Sequence, residues 1–147
     1  MEYFNLPLRS LVTGPGSYDW TALEQHLGNI ARRGHQAVLR IQLDTPGEPT
    51  GIPQYLLDGG LRTWSYSNYD NNGKSLLPDW NDPKLVQALT SFISAFGARY
   101  DGDARIGFIT AGLYGFWGEW HTYPLTKREM NETNRTKLMS AYQQAFK

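Results

Sequence analysis

The sequence contains no cysteine. That excludes disulfide frameworks, thiolate nucleophiles and zinc–thiolate sites, and it leaves the redox compartment open. An excess of charge is missing too, with 14 Lys and Arg set against 14 Asp and Glu. Nucleic-acid binders gather positive charge on one face, so this balance argues against a nucleic-acid partner. Arg32–Arg33 is a locally basic pair, too small to form such a face. Long apolar runs are also lacking: the uncharged stretch Ile106 to Gly118 falls well short of the roughly 20 residues that span a bilayer, and none in the chain reaches that length. Met1-Glu2-Tyr3-Phe4 opens without a basic region and apolar run, so neither a signal peptide nor a membrane partner is expected for this chain, and localisation stays unassigned.

What is present points to a packed globular chain. Its 147 residues suit one domain or a piece of one, and 40% hydrophobic residues suffice for a core. The 15 Gly and 8 Pro are spread out, which excludes collagen-like and low-complexity readings.

Residues 3–8 read as a strand, followed by a turn at Thr13-Gly14-Pro15-Gly16. A helix comes next, with Asp19 or Thr21 as cap, Thr21 and Glu24 at capping-box spacing, and Gly34 as its C′ glycine. Residues 35–43 form a strand that turns Leu39, Ile41 and Leu43 one way and Arg40, Gln42 and Asp44 the other. Parallel strands after helices are covered on both faces, so a polar set on one face looks toward something other than core, as inside a barrel near its mouth. Residues 45–81 are loop-rich but hold Trp64, Tyr66, Tyr69 and Trp80, which argues for an ordered loop. Asp82 caps a helix that begins at Pro83 and ends near Tyr100; residues 106–112 form a buried strand, and a last helix runs from about Lys127.

The order βαβαβα is that of a parallel α/β architecture. No Gly-x-Gly-x-x-Gly turn or P-loop is present, which disfavours a dinucleotide fold. A (β/α)8 barrel fits better, yet such barrels need about 250 residues. The expected fold class is therefore α/β, a partial (β/α)8 TIM barrel of about three parallel strands with covering helices, with residues 1–147 as one domain.

Barrel active sites lie at the carboxyl ends of the strands. Glu119 falls there, between Trp117 and Trp120 and before His121. Apolar walls raise a carboxyl pKa and suit it to general acid work, while aromatic faces stack on pyranose rings. The alternative for Glu119 is a helix cap or amide partner, with both tryptophans in the core.

The stretches Ala98-Arg99-Tyr100-Asp101-Gly102-Asp103, Ile106-Gly107-Phe108-Ile109 and Gly115-Phe116-Trp117-Gly118-Glu119-Trp120-His121 resemble a group of bacterial glycoside-hydrolase-like (β/α)8 proteins. Arg33-Gly34-His35-Gln36-Ala37 and Gly51-Ile52-Pro53-Gln54-Tyr55-Leu56-Leu57 are similar to that group as well. The group carries a largely uncharacterised domain related to the beta-galactosidase and cellulase type barrels of clan A. The resemblance covers nearly the whole chain. It implies a segment from the second strand to the fourth helix of a barrel, secreted full-length relatives, and carbohydrate as partner. It also implies that Glu119 matches the acid/base glutamate of the fourth strand, with the nucleophile belonging to a seventh strand outside this segment. The clan commonly places Asn just before that glutamate, and Gly118 stands here instead.

Arg40, Asp44, Trp117, Trp120 and His121 are the candidate substrate contacts. Arg40 either clamps a substrate group or neutralises Asp44. Glu119 and His121 lack a third ligand at fixed spacing, so no metal and no cofactor are expected. Asp70-Asn71-Asn72-Gly73 reads as a plain turn, lacking the later ligands of a calcium loop. His26 is expected to face solvent, and His35 to serve as a structural hydrogen bonder. The function expected is hydrolysis or binding of carbohydrate with Glu119 as general acid/base; the alternative is a non-catalytic binding or scaffolding barrel. Open sheet edges are expected to promote self-association.

Overall fold

In the computed structural model, which describes residues 1–147, the first strand β1 (Glu2–Pro7) alternates strictly. Leu6 is buried, while Tyr3, Asn5 and Pro7 are exposed. A small antiparallel hairpin follows, β2 (Val12–Gly14) and β3 (Ser17–Tyr18). The expected turn lies at its tip, where Gly16 takes a φ of 63°.

Helix α1 (Thr21–Arg32) buries Leu23, Leu27 and Ile30. Its start corrects the capping-box expectation. Trp20 occupies the cap position without a side-chain cap bond, and Asp19 Oδ1 accepts the Thr21 N–H at 2.9 Å. Glu24 instead lies 2.8 Å from the Arg105 guanidinium and accepts the Tyr100 hydroxyl at 2.8 Å. A charge-assisted pair is a stronger partner for a carboxylate than a neutral amide. Gly34, at φ 75°, ends the helix as expected.

Strand β4 (Ala37–Gln42) is followed by α2 (Gln54–Asp58) and the two-residue strands β5 (Thr63–Trp64) and β6 (Leu77–Pro78), which pair antiparallel. Helix α3 (Pro83–Tyr100) begins as its sequence dictates, with Asp82 accepting from the Lys84 and Leu85 amides at 2.8 and 3.3 Å. Strand β7 (Ile106–Thr110) and helix α4 (Glu132–Ala145) complete the chain. Helix α4 starts five residues after Lys127 because Asn131 caps it, accepting the Asn134 amide at 2.8 Å, while Asn81 accepts the Asn131 amide at 2.8 Å.

The three longer strands form one parallel sheet in the order β1-β4-β7. Leu39, Ile41 and Leu43 join Leu23 and Leu27 of α1 and Leu89, Phe92 and Phe96 of α3 in one buried cluster. The opposite face carries two rows across the sheet, Tyr3–Val38–Phe108 and Asn5–Arg40–Thr110. Tyr3 is 53% exposed and Phe108 62%. The architecture is thus mixed α/β, a three-stranded parallel sheet with four helices, one sheet face packed and the other bare.

Candidate functional site

The β4–β7 ladder continues past the strand ends. Asp44 and Phe116 form a parallel bridge, and the Trp117 amide donates to the Asp44 carbonyl at 2.8 Å. From there residues 114–121 coil into a tight loop. The Phe116 amide donates to the His121 carbonyl at 2.9 Å, the Glu119 amide to Phe116 at 2.9 Å, and the Trp120 amide to Tyr114 at 3.1 Å.

Glycine makes this coil possible. A Cβ at Gly118, which sits at φ 68°, would run into the Gly112 carbonyl, and one at Gly112 would strike the Arg40 side chain. An asparagine at position 118 therefore does not fit this backbone. Trp117 at φ 53° and Trp120 at φ 61° hold a left-handed conformation that bulky residues rarely adopt. Such strain costs on the order of 1–3 kcal/mol per residue and clusters at functional sites.

The coil places Glu119 at the carboxyl end of the parallel sheet. Its Oε1 lies 3.5 Å from Arg40 Nη1, and its Oε2 lies 3.8 Å from His121 Nε2. Arg40 Nη1 also donates to the Trp117 carbonyl at 3.0 Å, and Gln42 Nε2 donates to the same oxygen at 2.8 Å. Arg40 Nε is buried without a partner. The Glu119 side chain is 51% exposed, so the expected apolar enclosure is replaced by an open setting beside a guanidinium and an imidazole. Glu119 and His121 stand together, but no group of three ligating side chains gathers in the structure.

A second strained loop leans on the first. Tyr69 at φ 56°, Asp70 at φ 55° and Asn72 at φ 49° are all left-handed. Tyr69 meets Trp117 edge-on, with ring centroids 4.7 Å apart, and its hydroxyl donates to the Tyr123 carbonyl at 2.5 Å. Asn71 anchors this loop with every polar atom of its amide. Its Oδ1 accepts from the Gly47 and Ser75 amides, and its Nδ2 donates to the Tyr66 and Ser75 carbonyls.

Asp44 lies beneath both loops and is fully buried. Its Oδ1 accepts the Tyr66 hydroxyl at 2.5 Å and the Ser75 hydroxyl at 2.6 Å, while Oδ2 has no partner. Burial pushes its pKa up to about 6, against the opposing pull of the Ser75 and Tyr66 hydroxyls. Burial likewise raises the Tyr66 phenol, with the Asp44 charge adding to the effect.

Of the expected site residues, Glu119, Arg40, His121 and Trp117 come together. Trp120 turns inward, its Nε1 donating to the Ala111 carbonyl at 2.6 Å and its ring edge-on to Tyr114. Asp44 holds the 66–75 loop and is closed off from the surface. Arg40 pairs with Glu119, so of its two expected roles the neutralisation of Asp44 is not the one seen. Among the loop aromatics, Tyr66 and Tyr69 reach the Phe116 ring. Trp80 instead lies in the core against Tyr114, and Trp64 is flanked by Arg62 and Arg128. His26 is exposed and stacks on Phe4, and His35 bonds Glu2.

Sequence reasoning missed Gln42 and Asn71 as parts of the site. Strand alternation did carry a signal for Gln42, which shares the Arg40 face. A cleft of about 560 Å³ adjoins it at the carboxyl ends of β1 and β4, lined by Asn5, Arg9, Gln42, Thr45 and Glu48 among others. Compared with protein-family models, with curated proteins and with solved structures, the chain finds no match in any of the three.

Proposed function

We propose that this chain is a segment of a (β/α)8 barrel of the glycoside-hydrolase kind, with Glu119 as general acid/base toward a carbohydrate. The observation that carries the reading is the position of Glu119. It stands at the carboxyl end of a parallel sheet, on a strained loop beside Trp117, with Arg40 and His121 around it. Support for the barrel comes from the sheet. Each strand lies beside the one before it in the parallel order, and the second face is bare although parallel sheets are covered on both sides.

In such a site Trp117 stacks on a sugar ring, Arg40 and Gln42 fix the loop that holds the carboxylate, and Glu119 exchanges a proton with the glycosidic oxygen. A retaining mechanism needs a second carboxylate about 5–5.5 Å away. Asp44 is enclosed under Tyr66 and Ser75 and does not supply it. That enclosure favours the second reading, carbohydrate binding without turnover, for these 147 residues by themselves.

Titration with neutral oligosaccharides, followed by the Trp117 indole resonance, tests both. The resonance is expected to shift, and Trp117→Ala to remove binding. A broad glycan panel that leaves Trp117 unmoved overturns the carbohydrate reading. Hydrolysis of aryl glycosides separates the two: turnover abolished by Glu119→Gln establishes the enzyme, and binding without turnover establishes the second reading.

A further inference from the structure

A larger cavity lies away from Glu119. It has a volume of about 620 Å³ and sits between the β2–β3 hairpin, helix α2 and the first turns of α3. That volume is within the range of small-molecule sites. Val12, Leu56 and Ala88 supply apolar surface, and Tyr18 and Tyr55 supply two aromatic rings. The Tyr18 ring is held from behind by Trp20 and Phe92, with centroids 5.5 and 6.1 Å away, so this wall is fixed before any ligand arrives.

The hydroxyls of the two lining tyrosines are unengaged. Neither tyrosine hydroxyl has a hydrogen-bond partner in the protein, and burial raises both phenols, Tyr55 also through its proximity to Tyr18. Gln87 and Ser91 project from the exposed side of α3 into the same lining. The charged residues of the lining are Asp82 and Lys84, which cancel, and Asp82 Oδ1 is already engaged as the helix cap. Neutral balance removes the drive for an anion or cation. An apolar floor beside free hydroxyls and an amide matches a ring with one apolar face and several hydroxyls.

We propose that this cavity is a second binding site, for a small uncharged hydroxylated ring molecule. It does not depend on the role of Glu119, because the two sites share no residue. The ligand lies over Val12, Leu56 and Ala88, and its hydroxyls bond to Tyr18, Tyr55 and Gln87.

The test is a backbone-amide NMR titration with cellobiose, maltose and hydroquinone, each to about 10 mM, as suits a dissociation constant on the order of 1 mM. The expected result is movement of the Gly59, Gly60, Gln87 and Ser91 amides. Cellobiose or maltose acting alone identifies a saccharide, and hydroquinone acting alone an aryl alcohol; both are the proposed chemistry. Tyr55→Phe, which removes one hydroxyl and keeps the ring, is expected to weaken binding about tenfold, the equivalent of one hydrogen bond. Ala88→Leu, which fills the floor, is expected to abolish it. Three probes that leave these amides unmoved overturn the proposal, as does a larger response to benzoate than to any of them. The Trp117 resonance in the same spectra reports the Glu119 site separately, so either reading can fail while the other stands.

Discussion

Asp44 shows how one residue links sequence position to chemistry. Its place at the end of a strand is legible from the alternation of β4, which sets it on the Arg40 side. Its partners are not, because Tyr66 and Ser75 lie 22 and 31 residues further along and meet it only when the long loop folds back. The consequence is a pH dependence with a definite sign. The folded pKa is raised from 3.8 to about 6, so the folded state holds the proton more tightly than the unfolded chain. Stability is therefore lost as pH rises between about 4 and 6, by about 3 kcal/mol for a shift of roughly two units. Asp44→Asn keeps an oxygen for both hydroxyls and cannot ionise. Relative to the wild type it is expected to gain stability across that window and to hold a constant difference above it. Urea denaturation at pH 4, 5, 6 and 7 measures this; a difference that stays flat throughout means that Asp44 is not the titrating group.

At the level of elements, local chemistry was legible wherever it was decided locally. Asp82 and Pro83 marked the start of α3, the Asp101-Gly102-Asp103 turn its end, and Gly34 the end of α1. The capping box failed because Glu24 answers to Arg105, 81 residues away. The late start of α4 depends on a distant neighbour in the same way, since Asn81 holds the Asn131 amide. Helix propensity meets a similar override at Gly97. An alanine in a helix interior normally gains about 1 kcal/mol over glycine. Here its Cβ would enter the backbone of Ala145, where α4 crosses α3. Overpacking of that kind costs about 1–3 kcal/mol. Gly97→Ala is accordingly expected to lower the melting temperature and to loosen the last turn of α4, seen as faster amide exchange at residues 142–145. A raised melting temperature would mean that the α3–α4 contact yields without cost.

For the molecule as a whole, the sheet decides behaviour. Sequence periodicity supplied three parallel strands, but the bare face followed only from the register, which aligns Tyr3, Val38 and Phe108 in one row. That row offers apolar surface on a parallel sheet whose outer strands, β1 and β7, also carry free edges. Unpaired edges and an exposed apolar row both favour association with another chain. The chain is expected to self-associate as its concentration rises. Phe108→Lys places a charge on the bare face, on the outer strand β7, at a position 62% exposed, where a change of side chain alters fold stability by no more than about 0.5 kcal/mol. Sedimentation velocity on the two proteins is the measurement. The wild type should form larger species that Phe108→Lys shifts back to monomer, with the circular dichroism spectrum unchanged. A wild type that stays monomeric at high concentration would mean that Arg40, Asn5 and Thr110 keep this face solvated despite Tyr3 and Phe108. The bare face would then no longer support a barrel interior.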